Sequence, residues 1–141
     1  MMVSEILFGL YLSPLFNAIA QVESDCGATS ANVYQIKDIY LDDLSRIYMR
    51  IYPKSIKKDK AACEFAIVDY WKFYAHAWAR KNLHKPITYE VLARIHNGGP
   101  DGMNKSSTLA YWRKVRKHLM IELARSYPKV KYSLIDTTKG G

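Results

Sequence analysis

Residues 61–81 read AACEFAIVDYWKFYAHAWARK, an apolar and aromatic stretch that is long enough for about six turns of α-helix. Its large side chains recur on several sides of such a helix, which is typical of a helix that neighbouring elements cover. These side chains are Phe65, Tyr70, Trp71, Phe73, Tyr74 and Trp78. We therefore expect this helix to be central, with the rest of the chain packed around it.

The segment before this stretch also shows helical periodicity. Residues 36–51 carry an apolar stripe and end before Pro53, which predicts a helix followed by a basic connector, PKSIKKDK, at 53–60. The expected stripe consists of Ile36, Ile39, Tyr40, Leu44, Ile47 and Tyr48. Strand signals are scarce along the whole chain, so the predicted fold class is mostly α.

Capping residues predict two more helices after the central stretch. Thr88 can cap a short helix that ends near Ile95. Ser106 or Ser107 can cap a longer helix that covers residues 108–126. The segment HNGGPDGMN at 96–104 is rich in turn residues, so we expect a loop between these two helices.

The N-terminal region allows two interpretations. Apolar periodicity predicts a helix over residues 4–11, a second from Pro14 to about Glu23, and a loop of small polar residues at 24–33. The alternative is a secretory signal, because residues 6–16 are mostly apolar and the small residues of Ala18-Ile19-Ala20 follow them. No Lys or Arg precedes the apolar run, which favours retention of residues 1–20. The run is also too short and interrupted for a transmembrane helix.

Length and charge limit the classes of protein and partner. The chain has 141 residues, of which 49% are hydrophobic and 24% charged, the balance of one globular domain. We expect that domain to cover residues 1–127 and a poorly packed tail to cover residues 128–141. The net charge of +8 favours polyanionic partners, which include nucleic acids, anionic membranes and acidic cell-wall polymers. The charge alone does not choose among them.

Glu23 ends the segment AIAQVES at 18–24, just before a loop of small residues. A carboxyl group at the end of an apolar helix is partly desolvated, and desolvation raises its pKa. Such a protonated carboxyl is the proton donor that glycoside hydrolysis needs. The alternative from these residues alone is a glutamate that simply ends a helix in water.

Two further segments have both a functional and a structural interpretation. In ARIHNGGP at 93–100, the paired glycines permit close approach of the backbone, and the adjacent Asn can bind a sugar hydroxyl or acetamido group. The alternative is a plain turn between helices. The basic residues of the last helix attract anionic polymers or form a solvated face, and they match no nucleic-acid docking motif. They are Arg113, Lys114, Arg116, Lys117 and Arg125.

Four segments in order carry a resemblance to one family. AIAQVES at 18–24, YQIKDIY at 34–40, ARIHNGGPDG at 93–102 and the YW-x-KV pattern at 111–115 resemble the motifs of invertebrate-type lysozymes, the group that includes destabilase. The first three are also similar to looser motifs of goose-type lysozymes and lytic transglycosylases, in which His96 would stand in place of a tyrosine. The resemblance implies a lysozyme-like α-rich fold with a reduced or absent β-hairpin.

The same resemblance implies the site residues. Glu23 would be the catalytic general acid, and eight residues would line the sugar cleft. The eight are Ser24, Tyr34, Gln35, His96, Asn97, Gly98, Gly99 and Tyr111. No metal and no cofactor is implied.

Cysteine usage departs from that family, which is rich in disulfides. Ala18, Ala20 and Met103 occupy positions where the family has cysteines, and only Cys26 and Cys63 could form a disulfide. This favours folding in a reducing compartment, such as a cell interior or a virus-infected cell, with secretion as the alternative.

The family's second catalytic carboxylate has no matching residue. In the family it lies in a longer stretch between the VES and YQIK segments, whereas only residues 25–33 separate them here. The candidates for a second acid are Asp25, Asp38 and Asp101, and no motif identifies any of them as catalytic.

These observations predict a muramidase that hydrolyses the β-1,4 bond between N-acetylmuramic acid and N-acetylglucosamine in bacterial peptidoglycan. Two alternatives stay open: a lytic transglycosylase with a single catalytic Glu, and a lysozyme-like protein that binds glycan without cleaving it. Glycan strands of peptidoglycan are the expected partner, with no specific nucleic acid and no membrane span. The sequence leaves the oligomeric state open.

Overall fold

The computed structural model describes residues 6–126 of the chain. A short hairpin of strands β1 (Ile6–Leu7) and β2 (Leu10–Tyr11) precedes the first helix. The α-helices are α1 (Leu12–Ser24), α2 (Asp38–Tyr48), α3 (Lys60–Lys81), α4 (Tyr89–Gly98) and α5 (Ser106–Ser126). Short 3-10 helices at Lys54–Lys58 and Gly102–Asn104 lie in two of the connections. The mostly α prediction is confirmed, while the tail predicted at 128–141 lies outside the described residues.

A hairpin takes the place of the helix that we predicted over residues 4–11. That prediction is therefore wrong for residues 6–11, the part that the structure describes. Phe8 and Gly9 have φ of 54° and 77°, and Leu7 pairs with Leu10 on either side of them. Two successive left-handed residues form the tight turn that joins antiparallel strands, and the glycine adopts this conformation at little cost. The periodicity of a short apolar run does not distinguish a helix from a strand. For this reason the sequence pattern predicted a helix where the structure has a hairpin.

The core lies where α1, α3, α4 and α5 meet. Helix α1 packs mainly against α5, and α4 packs against both α5 and α3. Trp71 of α3 is fully buried, donates its indole N–H to the Leu92 carbonyl at 2.8 Å, and stacks on Phe16 at 5.4 Å between ring centroids. No helix within residues 6–126 has the length and apolar character needed to cross a membrane.

Helix α3 is covered on one side and not all round. Phe65 and Phe73 are exposed, so the expectation that neighbouring elements cover this helix is correct only for the side that holds Trp71. The helix begins where Asp59 accepts a hydrogen bond from the Ala62 N–H at 3.1 Å, an N-cap that satisfies a free donor of the first turn.

Helix α2 is shorter than the predicted 36–51, because Lys37 is extended and Met49 is left-handed with φ of 52°. Its buried face also differs from the predicted stripe. Tyr40 and Leu44 are buried as expected, and Leu41 joins them, whereas Ile39 is 75% exposed. The position of α2 on the edge of the molecule leaves this isoleucine in solvent.

A buried arginine fixes the connection between α4 and α5. Arg94 pairs with Glu90 at 2.7 Å and donates to the carbonyls of Met103 and Lys105 at 3.1 and 3.0 Å. Buried charges require such partners because desolvation is costly. A Cβ on Gly102 would lie 2.1 Å from the Arg94 carbonyl oxygen, so this position accepts only glycine. The network therefore holds the glycine-rich segment firmly on α4.

Candidate active site

A cleft of about 1090 Å³ is lined by residues of α2 and α3 and by residues at the ends of α1 and α4. Six residues that the sequence predicted for the site line it: Glu23, Gln35, His96, Asn97, Gly98 and Gly99. The other lining residues are Lys37, Ile39, Tyr40, Asp42, Asp43, Arg46, Tyr70, Tyr74, Pro100, Lys105 and Ser107. The structure thus brings together segments that are more than sixty positions apart in the sequence.

Glu23 lies in the cleft because α1 ends directly after it. Asp25 and Cys26 adopt left-handed backbone conformations, and their N–H groups bond to the carbonyls of Gln21 and Ala20. The Ser24 hydroxyl donates to the Val33 carbonyl at 2.7 Å and accepts from the Gly27 N–H at 2.9 Å. Ser24 is therefore buried under the loop that it holds, and it does not line the cleft.

The Glu23 carboxyl is partly buried, with 17% of its side chain exposed. Desolvation by burial raises its pKa above the ordinary value for glutamate. A hydrogen bond from the Tyr111 hydroxyl to Oε2, at 3.1 Å, and the positive charge of Lys37 act in the opposite direction and are weaker. The net effect favours the protonated form that a general acid needs.

His96 contacts the same oxygen of Glu23. Its Nε2 lies 3.7 Å from Glu23 Oε2 and 3.2 Å from the Tyr34 carbonyl oxygen, while Nδ1 lies 3.2 Å from the Tyr40 hydroxyl. A carbonyl only accepts, so Nε2 carries the hydrogen and Nδ1 accepts from Tyr40. Burial lowers the pKa of His96 to about 4. The contact with Glu23 is therefore made by a neutral imidazole and is not an ion pair.

Both neighbours of the carboxyl converge on one of its oxygens. Tyr111 donates to Oε2, and the His96 N–H lies close to Oε2, whereas Oε1 has no hydrogen-bond partner among residues 6–126. A protonated carboxyl carries its hydrogen on one oxygen and accepts on the other. This geometry favours a proton on Oε1. We call the cluster of Glu23, Tyr111 and His96 the Glu23 wall.

Tyr34 and Tyr111 are both buried and lie behind the surface of the cleft. The Tyr34 hydroxyl donates to Glu64, and its carbonyl oxygen contacts His96, so it supports the Glu23 wall from behind. Gln35, in contrast, lines the cleft with a left-handed backbone and donates to the Asn32 carbonyl at 2.8 Å.

The paired glycines are needed for steric reasons. A Cβ on Gly98 would lie 2.4 Å from Thr108 Cγ2, and Gly99 has a φ of 82°, in the region that favours glycine. Asn97, just before them, is exposed at the edge of the cleft. The NGG segment thus places an amide side chain beside backbone that approaches α5 closely.

None of the three acids considered from the sequence lines the cleft. Asp25 caps α1 and accepts from the Gln21 amide at 2.6 Å, and Asp101 is exposed in a turn. Asp38 is exposed and pairs with Lys57, whose hydrogen bond lowers the pKa of this carboxyl. The structure therefore brings none of these carboxylates into contact with Glu23.

Two acids that the sequence analysis missed, Asp42 and Asp43, line the cleft from α2. Asp42 is exposed and pairs with Lys54. Asp43 accepts from the Arg46 guanidinium on Oδ1 and from the Tyr74 hydroxyl on Oδ2. We call the cluster of Asp43, Arg46 and Tyr74 the Asp43 wall. Its signal in the sequence was the position of Asp43, three residues after Tyr40 and so beside it on one helix face.

Stacked tyrosines connect the two walls. Tyr40, which bonds to His96, stacks on Tyr70 with ring centroids 3.8 Å apart, and Tyr70 lies 4.7 Å from Tyr74. Apolar ring surface with polar edges is the usual lining of a ligand cleft. Within residues 6–126 no group of three or more His, Cys, Asp or Glu side chains is placed to hold a metal ion.

Comparison with known proteins places this geometry in a family. The chain is 33% identical over 122 residues to the lysozyme of Meretrix lusoria, an alignment that covers 77% of this chain and 91% of that protein. It is 32% identical over 97 residues to invertebrate-type lysozyme 2 of Caenorhabditis elegans, with 64% and 68% of the two chains covered. The chain belongs to the invertebrate-type lysozyme family.

The structure agrees with membership of the invertebrate-type lysozymes. The chain is similar to a solved structure that contains Aeromonas hydrophila PliI in complex with Meretrix lusoria lysozyme. The TM-score is 0.61 at 27% identity, and 83% of this chain and 93% of that chain are covered. No family model matches the sequence. The resemblance drawn from the four motifs and the predicted lysozyme-like fold are both confirmed.

Proposed function

We propose that this invertebrate-type lysozyme is a muramidase that hydrolyses the β-1,4 bond between N-acetylmuramic acid and N-acetylglucosamine in peptidoglycan. One observation carries the proposal: a desolvated glutamate, with a raised pKa, in a cleft large enough for several sugar rings. The name lysozyme, borne by the relatives that share most of its length, supports the same activity.

Glu23 acts as the general acid in this proposal. The proton on Oε1 moves to the oxygen of the glycosidic bond as the bond to C1 breaks, so the leaving sugar departs as an alcohol. The Tyr111 hydroxyl donates to Oε2 and keeps the carboxyl in one orientation during the transfer, with the His96 ring packed beside it. Because the Tyr111 donor is neutral, it stabilises the resulting carboxylate without forcing ionisation before substrate binds.

Water completes the reaction. After the bond breaks, C1 carries positive charge shared with the ring oxygen, and a water molecule adds its oxygen to C1. The proton that this water releases returns to the ionised Glu23 and restores the acid. The proposed route uses one acid, because Asp25, Asp38 and Asp101 do not line the cleft and Asp42 and Asp43, which do, are paired with Lys54 and Arg46. It proceeds by direct attack of water or by prior attack of the acetamido oxygen of the substrate.

The charge of the protein suits its proposed substrate. Peptidoglycan carries carboxylates on its peptides, and the net charge of +8 draws the protein towards such a polymer. Lys37 and Lys105 add cations at the cleft itself, where Lys105 also donates to the Gly98 carbonyl at 2.6 Å. We therefore propose peptidoglycan glycan strands as the partner of the cleft.

Mass spectrometry of the soluble fragments released from purified peptidoglycan tests the proposal. A muramidase releases fragments with a reducing N-acetylmuramic acid end, which carry the mass of one added water. Fragments that end in anhydro-N-acetylmuramic acid would instead indicate a lytic transglycosylase. An absence of fragments, together with retention of the protein on the insoluble wall, would indicate a glycan-binding protein and contradict the proposal.

A further inference from the structure

The Asp43 carboxylate is held firmly although the proposed reaction does not use it. Arg46 and Tyr74 each bond to a different oxygen, and 22% of the Asp43 side chain is exposed. An ionised carboxylate accepts about four hydrogen bonds, so lone pairs remain on both oxygens. These lone pairs belong to a side chain that lines the cleft.

A second cluster of the same composition lies outside the cleft. Asp69 of α3 accepts from the Tyr52 hydroxyl at 2.6 Å and from the Arg50 guanidinium at 3.1 Å, and 24% of its side chain is exposed. Arg50 also lies over the Tyr52 ring, 4.7 Å from its centroid. Asp69 ties α3 to the segment after α2 and has a structural role. The molecule thus provides two aspartates that match in partners and exposure and differ in whether they line the cleft.

The Glu23 wall and the Asp43 wall are joined through tyrosine rings, and within residues 6–126 their two carboxyl groups make no contact with each other. Tyr40, Tyr70 and Tyr74 follow one another between His96 and Asp43, and Glu23 and Asp43 share no contact partner. We therefore assign Asp43 to a sugar other than the one whose bond Glu23 would cleave. A ligand that reaches it must extend along the tyrosine rings.

We propose that Asp43 is a glycan-recognition residue, which accepts hydrogen bonds from sugar hydroxyl or acetamido N–H groups at a subsite away from Glu23. This inference rests on the proposed function, because it takes the same glycan as the ligand. Sugars present donors at their edges and C–H groups at their faces, which suit the fixed carboxylate and the adjacent ring of Tyr74. Recognition of this kind lowers KM and leaves the chemical step unchanged.

The decisive experiment compares Asp43→Asn with Asp69→Asn as the matched control. In the wild-type background we expect Asp43→Asn to raise KM for solubilised glycan strands about tenfold and to leave kcat within about twofold, which is the effect of losing a hydrogen bond to a charged group. Asp69→Asn should leave KM unchanged. A large fall in kcat at constant KM would overturn the proposal, since it would make Asp43 part of the chemistry. Equal KM for the two variants would also overturn it.

Binding without turnover separates this inference from the proposed activity. Calorimetry with a peptidoglycan hexasaccharide in the Glu23→Gln background should show about tenfold weaker binding for Asp43→Asn and no change for Asp69→Asn. This measurement decides the role of Asp43 even if the wild-type protein cleaves nothing. Tyr74→Phe, which keeps the carboxylate and removes one of its donors, should weaken binding less. It serves as the test if Asp43→Asn does not fold, and unchanged binding in it would then overturn the proposal.

Discussion

The two walls of the cleft surround a carboxyl group with different partners. In the Glu23 wall the acid is partly buried, and among residues 6–126 its polar neighbours are a neutral hydroxyl and a neutral imidazole, with Lys37 acting from a distance. In the Asp43 wall a guanidinium bonds directly to the acid and balances its charge. Desolvation without a directly bound cation raises the pKa of Glu23. The surroundings, and not the residue type alone, therefore support Glu23 as the proposed proton donor of this cleft.

The largest expected effect comes from Glu23→Gln. The amide keeps the shape and cannot donate the proton, so we expect turnover of peptidoglycan to fall about a thousandfold or more, with the fold and glycan binding retained. Glu122→Gln is a suitable control, because its side chain is 19% exposed and bonds to Asn17 and Arg125 outside the cleft. Turbidity assays on cell-wall suspensions and circular dichroism measure the two properties. An unaltered rate in Glu23→Gln would show that the acid lies elsewhere.

The neutral state of His96 predicts a specific loss of stability in acid. Its pKa is about 4 when folded and near 6.5 when unfolded, so below pH 6.5 the unfolded chain binds a proton that the folded protein does not. Between pH 6.5 and 4 this lowers the free energy of unfolding by about 3 kcal/mol. Urea titrations at pH 7 and pH 4 should show that loss in the wild type and a smaller one in His96→Gln. Equal losses in both proteins would mean that His96 is protonated in the folded state.

Tyr111→Phe should change the pH dependence more than the maximal rate. The Tyr111 hydroxyl lowers the pKa of Glu23, so its removal raises that pKa further. Activity falls as pH rises through the pKa of a general acid, and the alkaline limb of the rate profile should therefore move to higher pH, with a change of less than about tenfold in the maximum. Tyr89→Phe, whose hydroxyl donates to the Tyr11 carbonyl at 2.8 Å, provides the control. A limb that moves to lower pH would contradict this account of the Glu23 wall.

The smallest effects are expected at the acids that belong to neither wall. Asp25→Asn, Asp38→Asn and Asp101→Asn should each keep the peptidoglycan rate within about twofold, because surface substitutions away from a site change little. The assay is the same as for Glu23→Gln, run side by side. If one of these variants were as inactive as Glu23→Gln while still folded, a second essential carboxylate would exist and the single-acid route would be wrong.

The local structure around Glu23 and His96 could be predicted from the sequence, whereas the meeting of Glu23, His96 and Tyr111 was implied only by the family resemblance. The end of α1 after Glu23, the N-cap at Thr88 and the glycine-rich segment after His96 depend on neighbouring residues, and local patterns report these. The left-handed turn at Phe8-Gly9 is also local, yet a run of apolar residues concealed it. Boundaries and tight turns of this kind depend on single residues within an ambiguous pattern.

The Asp43 wall was missed because Asp43 and Arg46 pair locally on α2, whereas Tyr74 joins them only through the packing of α3. Asp43 on α2 bonds to Tyr74, which lies on α3, and nothing in either segment alone links the two. Ser24 and Tyr34 show the reverse error: their motifs suggested contact with sugar, and the structure places both behind the surface of the cleft. A motif locates a residue near a site, whereas the packing of helices decides which side chains line it.

The difference in accessibility between the two thiols makes the protein suitable for site-selective labelling without mutation. Cys26 is exposed three residues after Glu23, while Cys63 is buried and its pKa is raised to about 11 by desolvation. Alkylating reagents react with exposed thiolates, so a maleimide fluorophore at neutral pH attaches to Cys26 and leaves Cys63 untouched. The dye then lies beside the end of α1 and can report, through its emission, when a glycan enters the cleft.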